Sequence, residues 1–74
     1  MTALPAPWRL HRDAPDMKTW RAPLARPRGF RKYVYIFIMW DGDIQSENST
    51  GYNRRHATIG EALAALASDI TPHN

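Results

Sequence analysis

A small single α+β domain, an antiparallel hairpin or sheet with one C-terminal helix packed on it, is what this 74-residue chain predicts. Three observations carry the expectation. Tyr33-Val34-Tyr35-Ile36-Phe37-Ile38-Met39-Trp40 is an eight-residue run of apolar and aromatic residues, all strand formers except Met39. Asp41-Gly42-Asp43 follows it at once, and an Asp-Gly pair there favours a tight hairpin, because Gly accepts φ > 0 and Asp does so better than most residues. Further on, Ile59, Leu63, Leu66 and Ile70 recur at spacings of 4, 3 and 4, one stripe of an amphipathic helix.

Taken in order, residues 1–32 read as a basic, Pro-rich, extended arm. They hold five of the six prolines, Pro5, Pro7, Pro15, Pro23 and Pro27, whose spacing forbids a long helix. Two Trp-bearing pieces lie between them. In Trp8-Arg9-Leu10-His11-Arg12, Trp8 and Leu10 alternate with Arg9 and His11 as in a strand, and Met17-Lys18-Thr19-Trp20-Arg21 is the second piece. Bulky apolar side chains are costly to leave in water, so part of the arm is expected to pack on the sheet.

Residues 33–74 are expected to form the hairpin and the helix, making one domain with the arm. The inner strand is placed at about 33–40 and the turn at 41–42. A two-residue turn pairs Ile38 with Gln45 and Ile36 with Glu47 on one face, and Phe37 with Ser46 and Tyr35 with Asn48 on the other. The inner strand is apolar on both faces and should lie inside the sheet, covered on both sides. The return strand, Asp43 to Thr50, is polar apart from Ile44 and reads as an exposed edge. Asn48-Ser49-Thr50-Gly51 is equally a turn sequence, which would shorten that strand. The inner strand's other edge needs a neighbour, and the Trp-bearing arm is the candidate. The helix is placed at about 59–69, with Thr58 and Glu61 as a capping box and Pro72 as its stop. Its stripe is expected on the aliphatic face Val34, Ile36, Ile38. The aromatic face Tyr33, Tyr35, Phe37, Met39 is then left for the arm, a second subunit or a target.

Charge divides along the same line. Residues 1–32 carry eight Lys or Arg against Asp13 and Asp16, whereas residues 33–74 carry Arg54 and Arg55 against five acids. A basic segment of this kind suits an anionic partner, or its own acidic half. Candidate partner- or anion-binding residues are Arg9, Arg12, Arg21, Arg26 and Arg28 from the arm, with Arg54-Arg55-His56 just before the helix cap, where free amides add a partial positive charge.

Chemistry beyond binding finds little support. The chain has no cysteine, and His11, His56 and His73 share no metal-ligand spacing, so neither a metal site nor a cofactor is expected. Asp41-Gly42-Asp43 lacks the rest of a calcium loop. Ser46, Ser49 and Thr50 lack the elbow of a nucleophilic serine, and the glycines are too scattered for a phosphate loop. An enzyme is not expected. The apolar run is far short of the roughly 20 residues of a spanning helix, and the N-terminus lacks the pattern of a secretory signal, so a soluble cytoplasmic protein is the default.

The hairpin, the short loop and Thr58-Ile59-Gly60-Glu61-Ala62-Leu63-Ala64-Ala65-Leu66 resemble the strand–strand–helix of phage-integrase arm-binding domains over about residues 33–70. That resemblance implies DNA binding through the sheet. In size and lack of catalytic groups the chain is also similar to anti-CRISPR-type inhibitors of phages and mobile elements, which implies occlusion of a nucleic-acid-handling protein complex. Three functions follow as expectations: a protein-binding inhibitor or adaptor, a nucleic-acid-binding accessory protein, or a structural subunit dimerising through the aromatic face. Asp43 and Glu47 on the return strand oppose phosphate approach and favour the first, although Gln45 and Asn48 suit base edges.

Overall fold

A computed structural model of the chain describes residues 3–71, with Arg28 by its backbone alone. Five strands, β1 (Arg9–Asp13), β2 (Met17–Arg28), β3 (Arg31–Met39), β4 (Ile44–Glu47) and β5 (Asn53–His56), precede one helix, α1 (Ile59–Ile70). The strands form a single antiparallel meander in the order β1-β2-β3-β4-β5. The helix lies across one face and contacts β2, β3, β4 and β5. This is the α+β domain that the sequence predicts. Among the described residues no helix is long and apolar enough to cross a membrane.

The arm packs on the sheet by joining it. Met17 to Pro23 pair residue by residue with Met39 to Tyr33, so β2 supplies the neighbour that the inner strand needs. Trp20, Ala22 and Leu24 alternate inward along β2 and are buried. Pro23 is accommodated because β1 reaches only to Arg21 and the register shifts beyond Pro23; an edge and a bulge are the two settings in which a sheet tolerates proline. Ahead of β1, Leu4 and Trp8 tuck into the same core.

The hairpin after β3 departs from the expected register by one residue. Ile38 pairs with Ile44, Phe37 with Gln45, Ile36 with Ser46 and Tyr35 with Glu47. The cause is the turn. Met39 and Asp43 close a loop of Trp40, Asp41 and Gly42, with the Met39 amide donating to Asp43 O at 2.8 Å, the Gly42 amide donating to Met39 O at 3.0 Å, and Gly42 at φ 91°. This is a three-residue connection with glycine in the left-handed position of a bulge, not a two-residue turn. The Asp41 carboxylate accepts from the Asp43 amide at 3.0 Å, satisfying the donor that the bulge strands. A one-residue slip exchanges the faces of every return-strand residue. Ile44 and Ser46 therefore turn toward the helix, and Gln45 and Glu47 turn away.

The same device ends β4. Asn48 donates its amide to Tyr52 O, Gly51 donates to Asn48 O, and Gly51 sits at φ 85°. The Asn48 side chain accepts from the Tyr52 and Thr50 amides. Asn48–Gly51 is thus the turn that its composition allows, and β4 is not the edge: β5 pairs outside it, from Ile44–His56 to Glu47–Asn53.

The helix begins at Thr58, whose hydroxyl oxygen accepts from the Glu61 amide at 3.1 Å. The Glu61 carboxylate lies 3.4 Å from that hydroxyl, so the cap is held at one end of the expected box. Ala62 and Leu66 are the buried centre of the helix stripe, with Ile59, Leu63 and Ile70 packed around them. The expected stop, Pro72, lies outside the described residues; the helix closes with the Thr71 amide donating to Ala67 O. The Asp69 carboxylate also accepts from the Ser49 amide at 3.1 Å, tying the β4–β5 turn to the helix end.

Candidate functional site

Because α1 covers only one face, β3 is covered on one side and not on two. Val34 and Ile36 are buried beneath the helix, whereas Tyr33, Tyr35, Phe37 and Met39 on the opposite face remain half-buried. Strand pairing sets their neighbours. Met17, Thr19, Arg21 and Pro23 of β2 share that face, as do Arg9 and Arg12 of β1, Gln45 and Glu47 of β4, and Asn53 and Arg55 of β5. The outcome is an aromatic ridge along the central strand, with arginines on the β1–β2 side and a mixture of acid, amide and arginine on the β4–β5 side.

The ridge is ordered by its own contacts. The Tyr35 and Phe37 rings stack nearly parallel, 6.0 Å apart with 13° between planes. The Arg21 guanidinium sits 4.1 Å above the Tyr33 ring, in cation–π range. His11 lies 6.3 Å from Tyr35. It reaches this face because β1 carries a bulge between Leu10 and Arg12, so that two steps of β1 match one of β2. Shallow depressions flank the ridge: one of about 420 Å³ between His11, Thr19, Tyr35 and Phe37, one of about 310 Å³ between Arg21, Phe30, Tyr33 and Tyr35, and one of about 390 Å³ between Arg9, Arg21 and Tyr33. Shared walls at Arg21, Tyr33 and Tyr35 make them one trough.

Both acids of this face are engaged by arginines. Asp43 meets Arg55 at 2.9 Å and accepts from Gln45 at 2.8 Å, while Glu47 lies 3.5 Å from Arg31. Such partly exposed pairs are each worth at most about 1 kcal/mol in stability. Their larger effect is on the surface potential, because they leave the β4–β5 side close to neutral. Among the described residues Arg9, Arg12 and Arg21 form no ion pair, so the β1–β2 side keeps its positive charge.

The sequence-predicted cluster Arg54-Arg55-His56 does not stay together. It lies on β5, not in a loop, and the pleat separates its members. Arg55 shares the open face with Gln45, whereas Arg54 pairs with Ser46 and His56 with Ile44 on the helix side. There the His56 Nε2 and Ser46 Oγ are hydrogen-bonded at 2.7 Å, with Ser46 buried. Arg26 falls within the register shift between Pro23 and Arg28, and Arg28 ends β2 opposite Arg31. Arg31, Phe30, His11 and Glu47 join the site without being expected there from sequence. Arg31 carries a legible signal, being two residues before Tyr33 on the same strand. His11 carries none, since only the bulge brings it round. Among the described residues no cluster of His, Asp or Glu is arranged to hold a metal ion. Comparison of the chain with family models, curated proteins and solved structures finds no match.

Proposed function

We propose that the open sheet face is a nucleic-acid-binding surface and that the protein is a non-enzymatic accessory factor acting through it. One observation carries the reading: Tyr33, Tyr35 and Phe37 stand half-exposed on the same face as Arg9, Arg12, Arg21 and Arg31. Aromatic faces supply stacking and arginines supply phosphate contacts, the two components that nucleic-acid grooves combine. The likeness to phage-integrase arm-binding domains points the same way, since in that family the sheet meets the DNA. The acids that argue against phosphate approach in the sequence weigh less once Asp43 and Glu47 are paired with Arg55 and Arg31.

A second reading, an inhibitor or adaptor that occludes a nucleic-acid-handling protein in the anti-CRISPR manner, draws on the exposed Trp40 and Tyr52 and on the mixed charge of the β4–β5 side. Anisotropy of labelled oligonucleotides at two salt concentrations separates the two. A nucleic-acid binder loses affinity steeply with salt, and each of Arg9, Arg12 and Arg21 replaced by Ala should flatten the log–log slope by about 0.7 on single strands or 0.9 on duplex. Absence of binding to any oligonucleotide at low salt would overturn the first reading. Capture of a protein that persists after nuclease treatment would then support the second.

A further inference from the structure

We infer that the nucleic acid taken by this face is single-stranded, with unstacked bases laid on the Tyr33–Tyr35–Phe37 ridge and the backbone tracked by Arg21 and Arg9. The inference rests on the nucleic-acid reading and narrows it. Spacing is the first argument. Same-face residues on a strand stand about 7 Å apart, two steps of about 3.4 Å, and the Tyr35 and Phe37 ring centres are 6.0 Å apart. Bases in a duplex rise by only about 3.4 Å along each strand and are already stacked on one another. They cannot meet this ladder one for one, whereas an extended strand can place one base on Tyr35 and the next on Phe37, with its backbone passing the Arg21 guanidinium over Tyr33.

Reach is the second argument. Reading a duplex groove takes long polar side chains projecting from the element that enters it. Here the centre of the face consists of half-buried rings with the short, buried Thr19 beside Phe37. The trough along the ridge is shallow and open, which fits flat bases and not the convex edge of a helix. Charge placement is the third. The Arg21 guanidinium already sits over the Tyr33 ring, and Arg9 lies beside it across the β1–β2 pair, so among the described residues the cations of this face that are not paired with an acid line one flank of the ridge. A single backbone needs one cationic flank, while a duplex spanned by the sheet presents two. Phe30, fully exposed at the β2–β3 turn, extends the ladder by one further ring toward the same trough.

The test compares labelled 12-mers of oligouridylate and oligothymidylate with a 12-base-pair duplex, using the wild-type protein and Tyr35→Leu and Phe37→Leu, which keep apolar volume but remove the ring. Single strands should bind at least tenfold tighter than duplex. Each Leu variant should lose about 5- to 150-fold on single strands, the range that corresponds to one stacked base, with duplex affinity unchanged and the melting temperature close to wild type. As a second measurement on the unaltered protein, a 5-bromouracil 12-mer irradiated in complex should crosslink within residues 33–37. Duplex preferred over both single strands would overturn the inference while leaving the nucleic-acid reading in place, whereas crosslinks confined to α1, on the other face of the sheet, would overturn both. No affinity for any of the three probes would overturn both. A homodimer dispersed by Phe37→Arg, with no oligonucleotide binding, would assign the face to a second copy of the chain and overturn both as well.

Discussion

The two faces of the sheet are built from the same five strands, yet they do opposite things with their apolar residues. On the helix side, Trp20, Ala22, Val34, Ile36 and Ile44 meet Ala62 and Leu66 and are buried. On the other, Tyr33, Tyr35 and Phe37 stay half in water among arginines. Residue type follows the division: β3 offers branched aliphatics to the helix and tyrosines with polar tips to the outside. Ala22 and Ala62, both fully buried, let the helix approach closely. The difference assigns stability to one face and leaves the other open to solvent.

The strongest way to break that division is at its buried centre. Leu66→Ala should destabilise the fold by about 2–5 kcal/mol in urea denaturation, because the side chain is almost wholly enclosed. A cost below half a kcal/mol would mean that the helix is not seated on the sheet. Adjacent residues on β4 give a finer comparison. Ser46→Ala removes a buried hydroxyl bonded to His56 and should cost about 1 kcal/mol. Gln45→Ala, pointing to the open face, should stay within about 0.5 kcal/mol. A larger cost at Gln45 than at Ser46 would indicate that the register is the other one, with Gln45 inward.

On the open face the expected effects move from stability to affinity. Tyr35→Leu should change the stability by less than about 1 kcal/mol, as for a partly exposed substitution that conserves apolar volume. A melting temperature that collapses with this single change would make the ridge part of the core. A similarly modest stability effect is expected at Glu47→Gln, which loses an ion pair with Arg31 worth at most about 1 kcal/mol. Under the nucleic-acid reading the same change should raise oligonucleotide affinity, because it removes a negative charge and frees a guanidinium. Unchanged affinity would place the bound strand away from Glu47.

Much of this architecture is legible in the amino-acid sequence by itself. The apolar run 33–40 and the Ile/Leu stripe 59–70 are local patterns whose period alone identifies strand and helix, and Thr58 marks the helix start through a bond to a residue three positions away. The aromatic face follows from alternation within β3, and Arg9, Arg12 and Arg21 from composition. What the tertiary structure alone decides is pairing. The Asp-Gly pair suits a two-residue and a three-residue turn alike, and the three-residue form found here sends Gln45 and Glu47 to the face opposite the helix. The Pro-bearing segment becomes β2 because β3 has an edge to fill, and the register shift between Pro23 and Arg28 that accommodates its prolines is a property of that pairing, not of the local pattern. Arg54 and Arg55, neighbours in the chain, part company because a strand points successive side chains to opposite faces, and only the pairing of β5 with β4 makes that segment a strand.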